Sequence, residues 1–284
     1  MPAVNWTLMI ASCLLVVAFG DSTGLAAAYG VAVSTSMLMT TLLLGVVMAR
    51  LWRWPAPLVV SVVGVLLAID LAFLAGNSAK VPQGGWVPLV VGAAVSLLML
   101  TWKQGRVILA DRLAEGQVPI RELLERVHRD VPLRVPGVGV YMSGRPYVAP
   151  AALLHNLAHN KVLHERVLVL AVRTESLPRV ERRRLRECVE LGEGVFQGVL
   201  HYGFMQSPNA PRDIADVRLL GERLGDADVT YFLGRETVLP RSGKRMALWR
   251  EQLFAFMTRN AQPATAFFRL PPSQVIEIGT QVEI

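Results

Sequence analysis

Hydroxyl-bearing side chains recur along an apolar stretch that carries no charge, between residues 25 and 49. Channels and transporters coordinate alkali cations with oxygen atoms, so this stretch is a candidate wall of an ion path. Helix packing is the alternative, because small side chains allow close helix approach and hydroxyls bond back to the backbone. Composition alone favours packing. The hydroxyl-bearing residues are Tyr29, Ser34, Thr35, Ser36, Thr40 and Thr41.

Two acidic residues lie in or beside the apolar stretches of the first hundred residues. Asp70 is the single acid of the stretch 57–75, and an ionisable group within a span predicts a function because charge in lipid is costly. Its place toward the outer end of the stretch favours a structural or outer-vestibule role over ion coupling. Asp21 is either an external acid near a cation route or the N-cap of the next helix, and we favour the cap.

The charge distribution divides the chain into a membrane block and a basic soluble block. Residues 1–102 hold only three of the 29 Lys and Arg residues and two of the 22 Asp and Glu residues. This split excludes a single globular domain, a disordered chain and a secreted disulfide scaffold. We predict a transmembrane region over 1–102, a cytoplasmic connector over 103–136 and a cytoplasmic α/β domain over 137–284.

Four apolar segments predict four membrane spans. About 20 helical residues cross a hydrocarbon core of roughly 30 Å, and the first segment is short by this measure. Basic residues follow the second and fourth segments, so the positive-inside rule places residues 50–55 and the whole C-terminal half in the cytoplasm. The predicted spans are 4–19, 25–49, 57–75 and 86–102.

Strands and helices alternate in the soluble half, which predicts an α/β domain. The last predicted helix is amphipathic, with Trp249, Leu253 and Phe256 on one face. The predicted strands are 139–142, 166–173, 180–190, 195–204, 229–233 and 274–278, with the third and fourth paired around Gly192–Gly194. The predicted helices are 149–162, 213–224 and 246–260.

The soluble half contains no catalytic constellation, so we predict that the protein is not an enzyme. His155 and His159 stand four residues apart on a predicted helix, but no Glu or Cys completes a zinc site, and we expect no metal. Cys13 and Cys188 lie in different compartments and are not expected to pair. The basic run 179–186 is expected to be a solvated face, and we expect no nucleic acid partner.

Two strings in the membrane half, DSTGLAAAYGVAVS at 21–34 and GGWVPL at 84–89, are long enough to compare with known families. They resemble motifs of the bacterial KUP/HAK/KT potassium uptake permeases. Residues 21–34 are similar to that family's "SS-x-LAAAYGIAVT" helix, and residues 84–89 to its "GGW-x-P" start of the last span. In the soluble half the matching strings are HNLAHNKVLHER (155–166), YGF (202–204), PN (208–209) and IGTQVEI (278–284). The resemblance covers essentially the whole chain.

The resemblance implies a fold and an activity. The chain looks like the late spans of an amino acid–polyamine–organocation (LeuT-like) transporter with an inverted repeat, followed by a cytoplasmic domain. It implies potassium transport, as K⁺/H⁺ symport, in the bacterial inner membrane, by a protein of which this chain is the C-terminal part and which is incomplete without the rest. The resemblance implies that Tyr29, with Ser34 or Thr35, is the counterpart of the family's ion-path residues. Asp70 is a further ion-path candidate because it is an ionisable group within a span. Residues 34–36 read Ser-Thr-Ser where the family usually has Thr-Gly-Thr.

The expected partners follow from this assignment. They are the lipid bilayer, K⁺ and H⁺, with no cofactor. A homodimer, a regulatory nucleotide and a separately encoded N-terminal half stay open. The alternative function is a membrane-anchored regulatory or sensor subunit whose α/β domain binds a nucleotide or a partner protein.

Overall fold

The structure is a computed structural model that describes residues 2–130, 133–181, 186–241 and 245–284. The chain divides into two compact units, residues 1–100 and residues 101–284. The end of the predicted connector at 131–132 and the centre of the basic run at 182–185 lie outside the described residues.

The first unit is helical. Three helical segments, Ser22–Arg50, Ala56–Ser78 and Val81–Glu115, are each long and apolar enough to cross a membrane, whereas the apolar helix Val4–Phe19 is shorter. At about 1.5 Å per residue this helix reaches roughly 24 Å, less than a hydrocarbon core. By length and composition, three of the four predicted spans therefore qualify among the described residues. The helices are α1 Pro2–Phe19, α2 Ser22–Arg50, α3 Ala56–Ser78 and α4 Trp86–Glu115.

Local sequence sets where these helices begin. The Asp21 carboxylate accepts a hydrogen bond of 2.7 Å from the Gly24 backbone N–H, which caps α2 as we expected. The π-helical turn Val81–Gly85 leads into α4 through Gly84 at φ 136°, a conformation that side chains disfavour. A Cβ at Gly84 would also lie 2.8 Å from the Gly24 carbonyl oxygen.

The second unit is the predicted α/β domain, built on one six-stranded sheet. Across the sheet the strands lie in the order β3 (Arg186–Gly192), β4 (Val195–Gly203), β2 (Val162–Glu175), β1 (Leu133–Ser143), β7 (Val229–Leu239) and β8 (Val275–Glu283). All neighbours are parallel except β3 with β4. Parallel neighbours require crossover connections, and helices occupy those between β1 and β2, between β4 and β7, and between β7 and β8. Strand β5 spans Arg218–Leu219, and β6 spans Glu222–Arg223. The helices are α5 Ile120–Asp130, α6 Ala151–His155, α7 Ala210–Ile214, α8 Leu248–Arg259 and α9 Ala264–Phe267.

The sheet is buried on both faces, as is typical of parallel sheets. Successive side chains of a strand point to opposite faces. On β2, Val167 and Val169 belong to one apolar cluster, and Leu168 and Leu170 belong to the other. The continuous apolar run that predicted this strand therefore reflects its two-sided burial.

The helix predicted over 213–224 is wrong. Helix α7 ends at Ile214, and β5 then pairs with β6 as an antiparallel hairpin. Its two turn residues, Leu220 and Gly221, both have positive φ (51° and 91°), the backbone that two-residue hairpin turns require. Turn geometry here overrode the helical spacing of the apolar residues.

The apolar face predicted for the last long helix is not the face that the helix buries. Helix α8 buries Glu251, Phe254 and Ala255, while Trp249 and Phe256 are exposed. The reason is a tertiary contact, because Phe254 and Ala255 share an apolar cluster with Ile108 and Leu109 near the end of α4.

The predicted connector is largely regular structure. Helix α4 continues unbroken to Glu115, α5 follows, and β1 begins at Leu133.

Candidate ion site on the second and third membrane helices

The buried residues of α2 form one stripe with a seven-residue repeat. Steps of three and four residues keep side chains on one face of a helix that packs along a single partner. Helix α2 contacts α3 and the turn at Val81–Gly85 extensively. The stripe consists of Gly24, Ala27, Val31, Ser34, Thr41 and Met48.

Asp70 of α3 lies within this contact. Its side chain is buried, with 4% of its surface exposed. The Thr41 hydroxyl of α2 donates a hydrogen bond of 2.5 Å to Asp70 Oδ2. A buried carboxylate is costly unless it is hydrogen-bonded, so Thr41 stabilises Asp70 inside the helix pair.

A second polar pair lies at the same contact. Asn77 of α3 donates from Nδ2 to Ser34 Oγ at 2.7 Å, and Ser34 in turn donates to the Gly30 carbonyl at 2.8 Å. The two helices approach closely here, since a Cβ at Gly30 would lie 2.8 Å from Asn77 Oδ1. Lys80 Nζ lies 3.4 Å from the same Asn77 oxygen.

The two pairs form one polar seam, defined here as Ser34, Thr41, Asp70 and Asn77. Seven residues separate its members on each helix, which is about 10 Å along the axis. The seam places a carboxylate, two hydroxyls and an amide along the contact between two long membrane helices. Such oxygen atoms suit alkali cations and protons.

The structure separates the four predicted ion-path residues. Ser34 and Asp70 both lie in the polar seam, each with its own partner. Tyr29 lies off the buried stripe with 71% of its surface exposed. Thr35 Oγ1 donates to the Val31 carbonyl at 2.8 Å, the back-bonding expected for a packing role. The assignment of all four residues to an ion path stays a prediction.

Asn77 and Thr41 were not among the predicted ion-path residues, although Thr41 is one of the hydroxyl-bearing residues of α2. Asn77 lies within the last turn of α3, where the sequence indicated an outer loop. The sequence does contain a pattern that predicts these contacts, because Asn77 follows Asp70 by seven residues just as Thr41 follows Ser34. Antiparallel helices with matching heptads bring such pairs face to face.

In the α/β domain, a cavity of about 420 Å³ opens beyond the carboxyl end of β4. Ligands of α/β sheets commonly bind beyond the carboxyl ends of strands. Arg179, Arg212 and Arg269 line the cavity. The buried Tyr202 hydroxyl donates to Asp213 Oδ2 at 2.7 Å, and burial together with this carboxylate raises the pKa of Tyr202.

The histidines do not assemble a metal site. The rings of His155 and His159 stack with centroids 5.8 Å apart. Over residues 2–130, 133–181, 186–241 and 245–284, no group of three His, Cys, Asp or Glu side chains could hold a metal ion. His164 lies apart from them on β2, and burial lowers its pKa.

Two family models match the chain, one over each half. The model described as the K⁺ potassium transporter integral membrane domain matches residues 1–107, and the one described as the K⁺ potassium transporter C-terminal domain matches residues 136–284. The chain belongs to the K⁺ potassium transporter family. The family resemblance drawn from the sequence is thereby confirmed.

Several curated relatives are similar to the chain over its whole length. Probable potassium transport system protein Kup 1 of Geobacter sulfurreducens is 48% identical over 284 residues, which are 100% of this chain and 45% of the relative. The Kup protein of Myxococcus xanthus is 45% identical over 100% of this chain and 44% of its own length. That of Pseudomonas aeruginosa is 47% identical over 99% of this chain and 44% of its own length.

The chain thus spans less than half the length of the curated relatives it matches. No solved structure matches it.

Proposed function

We propose that this chain provides membrane spans and the C-terminal α/β domain of a potassium uptake permease of the bacterial inner membrane. Both family models describe K⁺ transporters, and the relatives are named as probable potassium transport system proteins. The polar seam is the structural observation that carries the proposal, because it places a buried acid and hydroxyl oxygens inside apolar helices.

The seam's chemistry suits coupled movement of K⁺ and H⁺. Ionised Asp70 attracts a cation, whereas protonated Asp70 is neutral and can itself donate a hydrogen bond. Symport moves K⁺ and H⁺ together in one direction, so we propose that Asp70 holds one of the two ions while other oxygen atoms of the seam or of the further spans hold the other. The membrane potential contributes about 2.3 kcal/mol per charge per 100 mV to inward movement of a cation.

The spans are proposed to belong to a LeuT-like fold with an inverted repeat. In such folds the ion site lies near the midplane, between the two repeats. The relatives are more than twice as long as the segment matched here, so we expect transport only when further spans are present. The excess of bases at Arg50, Arg53 and Lys103 supports a cytoplasmic location for the α/β domain.

The test is potassium uptake by a chimera in a strain that lacks its own uptake systems. The chimera joins the preceding part of the Geobacter sulfurreducens relative to this chain, and the chain alone is expressed beside it. Asp70→Asn and Thr41→Val remove the charge and the hydroxyl of one pair. Thr40→Val is the matched control for Thr41, because Thr40 Oγ1 donates to the Ser36 carbonyl on an exposed face.

We expect Asp70→Asn to abolish uptake and Thr41→Val to reduce it at least tenfold, because removing one partner of a buried charge-assisted bond costs about 1.5–3 kcal/mol. Thr40→Val should transport like the unmodified chimera. Membrane levels of every variant are measured by immunoblot. Normal uptake by Asp70→Asn would remove the seam from the ion path, and uptake by the chain alone would show that no further spans are needed.

Tyr29 and Thr35 are tested in the same assay. Tyr29→Phe and Tyr29→Ala remove the hydroxyl and the ring from an exposed position, and Thr35→Val removes a back-bonded hydroxyl. If either residue lines the ion path, its variants change the apparent K⁺ affinity or the maximal rate. Unchanged kinetics in all three variants would leave Ser34 and Asp70 as the ion-path residues of this chain.

The arginine-lined cavity is where we propose a regulatory nucleotide would bind. Three guanidinium groups suit phosphate oxygens. Calorimetry of the purified full chain with adenine nucleotides and cyclic dinucleotides tests this partner, with Arg212→Ala and Arg269→Ala as variants. The absence of binding heat across that panel would contradict the proposal of a regulatory nucleotide. The oligomer mass measured on the same sample tests the homodimer.

A further inference from the structure

Helix α8 carries large apolar side chains on its exposed face. Trp249 is 53% exposed and Phe256 is 58% exposed. They stand seven residues apart, which is two helical turns, so both lie on one stripe with Gln252 between them. The opposite face, with Phe254 and Ala255, is buried. Paired exposed aromatic residues on one helix face are typical of an interaction surface.

Three contacts within the second unit show at which residues of α4 helix α8 packs. Arg250 Nε donates to Thr101 Oγ1 at 3.0 Å. The Phe254 ring lies 5.6 Å from the Trp102 ring, and a Cβ at Gly105 would lie 2.3 Å from Phe254. Helix α8 therefore crosses α4 at residues 101–105.

These residues also mark where the apolar part of α4 ends. Residues 86–102 carry no charge, and Lys103 is the first base that follows. Trp102, which is 37% exposed, is the residue type that concentrates at the boundary between lipid and water. The exposed stripe of α8 thus lies at the depth where a bilayer surface is expected.

We propose that α8 is an interfacial helix, whose Trp249 and Phe256 side chains enter the lipid leaflet on the side of Lys103. The proposal rests on the proposed function, since it requires α4 to span a membrane. Amphipathic helices at bilayer surfaces combine buried aromatic residues with bases that contact anionic headgroups. On α8, the exposed Arg259 follows Phe256 by three residues, so a base lies beside this aromatic side chain.

Lipid fits this surface better than a protein partner does. Indole rings favour the headgroup region because one side is apolar and the N–H is polar. Lys103 and Arg106 are exposed at the level of the α8 crossing, which adds positive charge facing anionic lipid. A second copy of the chain would have to bury these bases against its own basic surface.

The test measures the depth of nitroxide labels in the full chain, reconstituted into vesicles of phosphatidylethanolamine and phosphatidylglycerol. Cys13 and Cys188 are replaced by Ser, and single cysteines are introduced as Trp249→Cys and Phe256→Cys. Two exposed reference positions calibrate the depth of the labels. Leu98→Cys, on the apolar part of α4, is the lipid reference, and Val189→Cys, on edge strand β3, is the water reference. Collisions with oxygen and with a water-soluble nickel chelate are compared for each label.

We expect the labels at 249 and 256 to collide several-fold more with oxygen, relative to nickel, than the label at 189, and to reach a depth shallower than that at 98. Nickel collisions like those at 189 would overturn the proposal. So would protection of the labels from both reagents, since that indicates a covering protein surface. A water-accessible label at 98 would instead refute the membrane span itself, which separates failure of the proposed function from failure of the interfacial helix.

Discussion

Gly105 offers a sharp test of how α4 meets the α/β domain. A Cβ added there would lie 2.3 Å from Phe254 Cδ2 and 2.4 Å from Cγ, distances that side chains do not adopt. Phe254 is fully buried, so its ring cannot rotate into solvent. Gly105→Ala must therefore displace either the ring or the helix backbone.

The expected decrease in the free energy of unfolding is the difference between two opposing effects. Overpacking a filled core costs about 1–3 kcal/mol, whereas Ala in place of Gly inside a helix gains about 1 kcal/mol. The net loss should be about 1 kcal/mol, and a unit of this size then melts roughly 2–4 °C lower. Phe254→Leu in the Gly105→Ala background shortens the obstructing side chain, and it should recover part of the loss.

Thermal unfolding of the purified full chain in detergent measures the effect. Trp102, whose ring lies 5.6 Å from Phe254, provides a fluorescence signal at the contact. Gly92→Ala is the matched control, because no atom lies within 4 Å of a Cβ at that position of the same helix. It should leave the melting temperature unchanged or raised. A Gly105→Ala chain that melts at or above the unmodified temperature would refute the packing of α4 on α8.

The remaining predictions concern the α/β domain. Asn156 is buried and donates to the Tyr141 hydroxyl and to the Val162 carbonyl, both at 3.0 Å, so Asn156→Ala should cost about 1–3 kcal/mol in chemical unfolding, whereas the exposed His159→Ala should have little effect. Burial raises the pKa of Tyr231 to about 12, so the folded state holds this proton more tightly than the unfolded state does. The stability from this group should therefore be full below about pH 10 and should fall as the pH rises toward 12. Absorbance titration of phenolate should show one late-titrating tyrosine fewer in Tyr231→Phe; an unchanged titration curve would contradict the shift.

The division into membrane helices and an α/β domain could be predicted from the sequence because it depends on composition and periodicity. Uncharged runs about 20 residues long have few alternatives to a span, and the run at 166–173 could be recognised as a strand buried on both faces. The hairpin at Leu219–Glu222 could not, because its left-handed turn at Leu220 has no helix-breaking composition beyond Gly221. A local sequence pattern therefore predicts a helix or strand only where the backbone has no alternative turn conformation, such as the one at Leu220 and Gly221.

The face that α8 buries could not be predicted from the sequence, for a different reason. Trp249, Leu253 and Phe256 do share a face, but the helix turns that face outward because Phe254 fills the space beside Gly105. The amphipathic rule assumes that the more apolar face meets the protein core. That assumption fails wherever a second apolar environment is present, and a bilayer surface is such an environment.

The polar seam follows from a register that the sequence already contains. Ser34 opposes Asn77 and Thr41 opposes Asp70, and each step of seven forward on α2 is matched by a step of seven backward on α3. Antiparallel helices packed along heptads keep that register, so an acid on one helix must meet whatever stands opposite on the other. Here that residue is Thr41, whose hydroxyl donates a hydrogen bond to Asp70 Oδ2. The register therefore gives the buried carboxyl group a partner inside the helix pair, and the proposed transport depends on that carboxyl group.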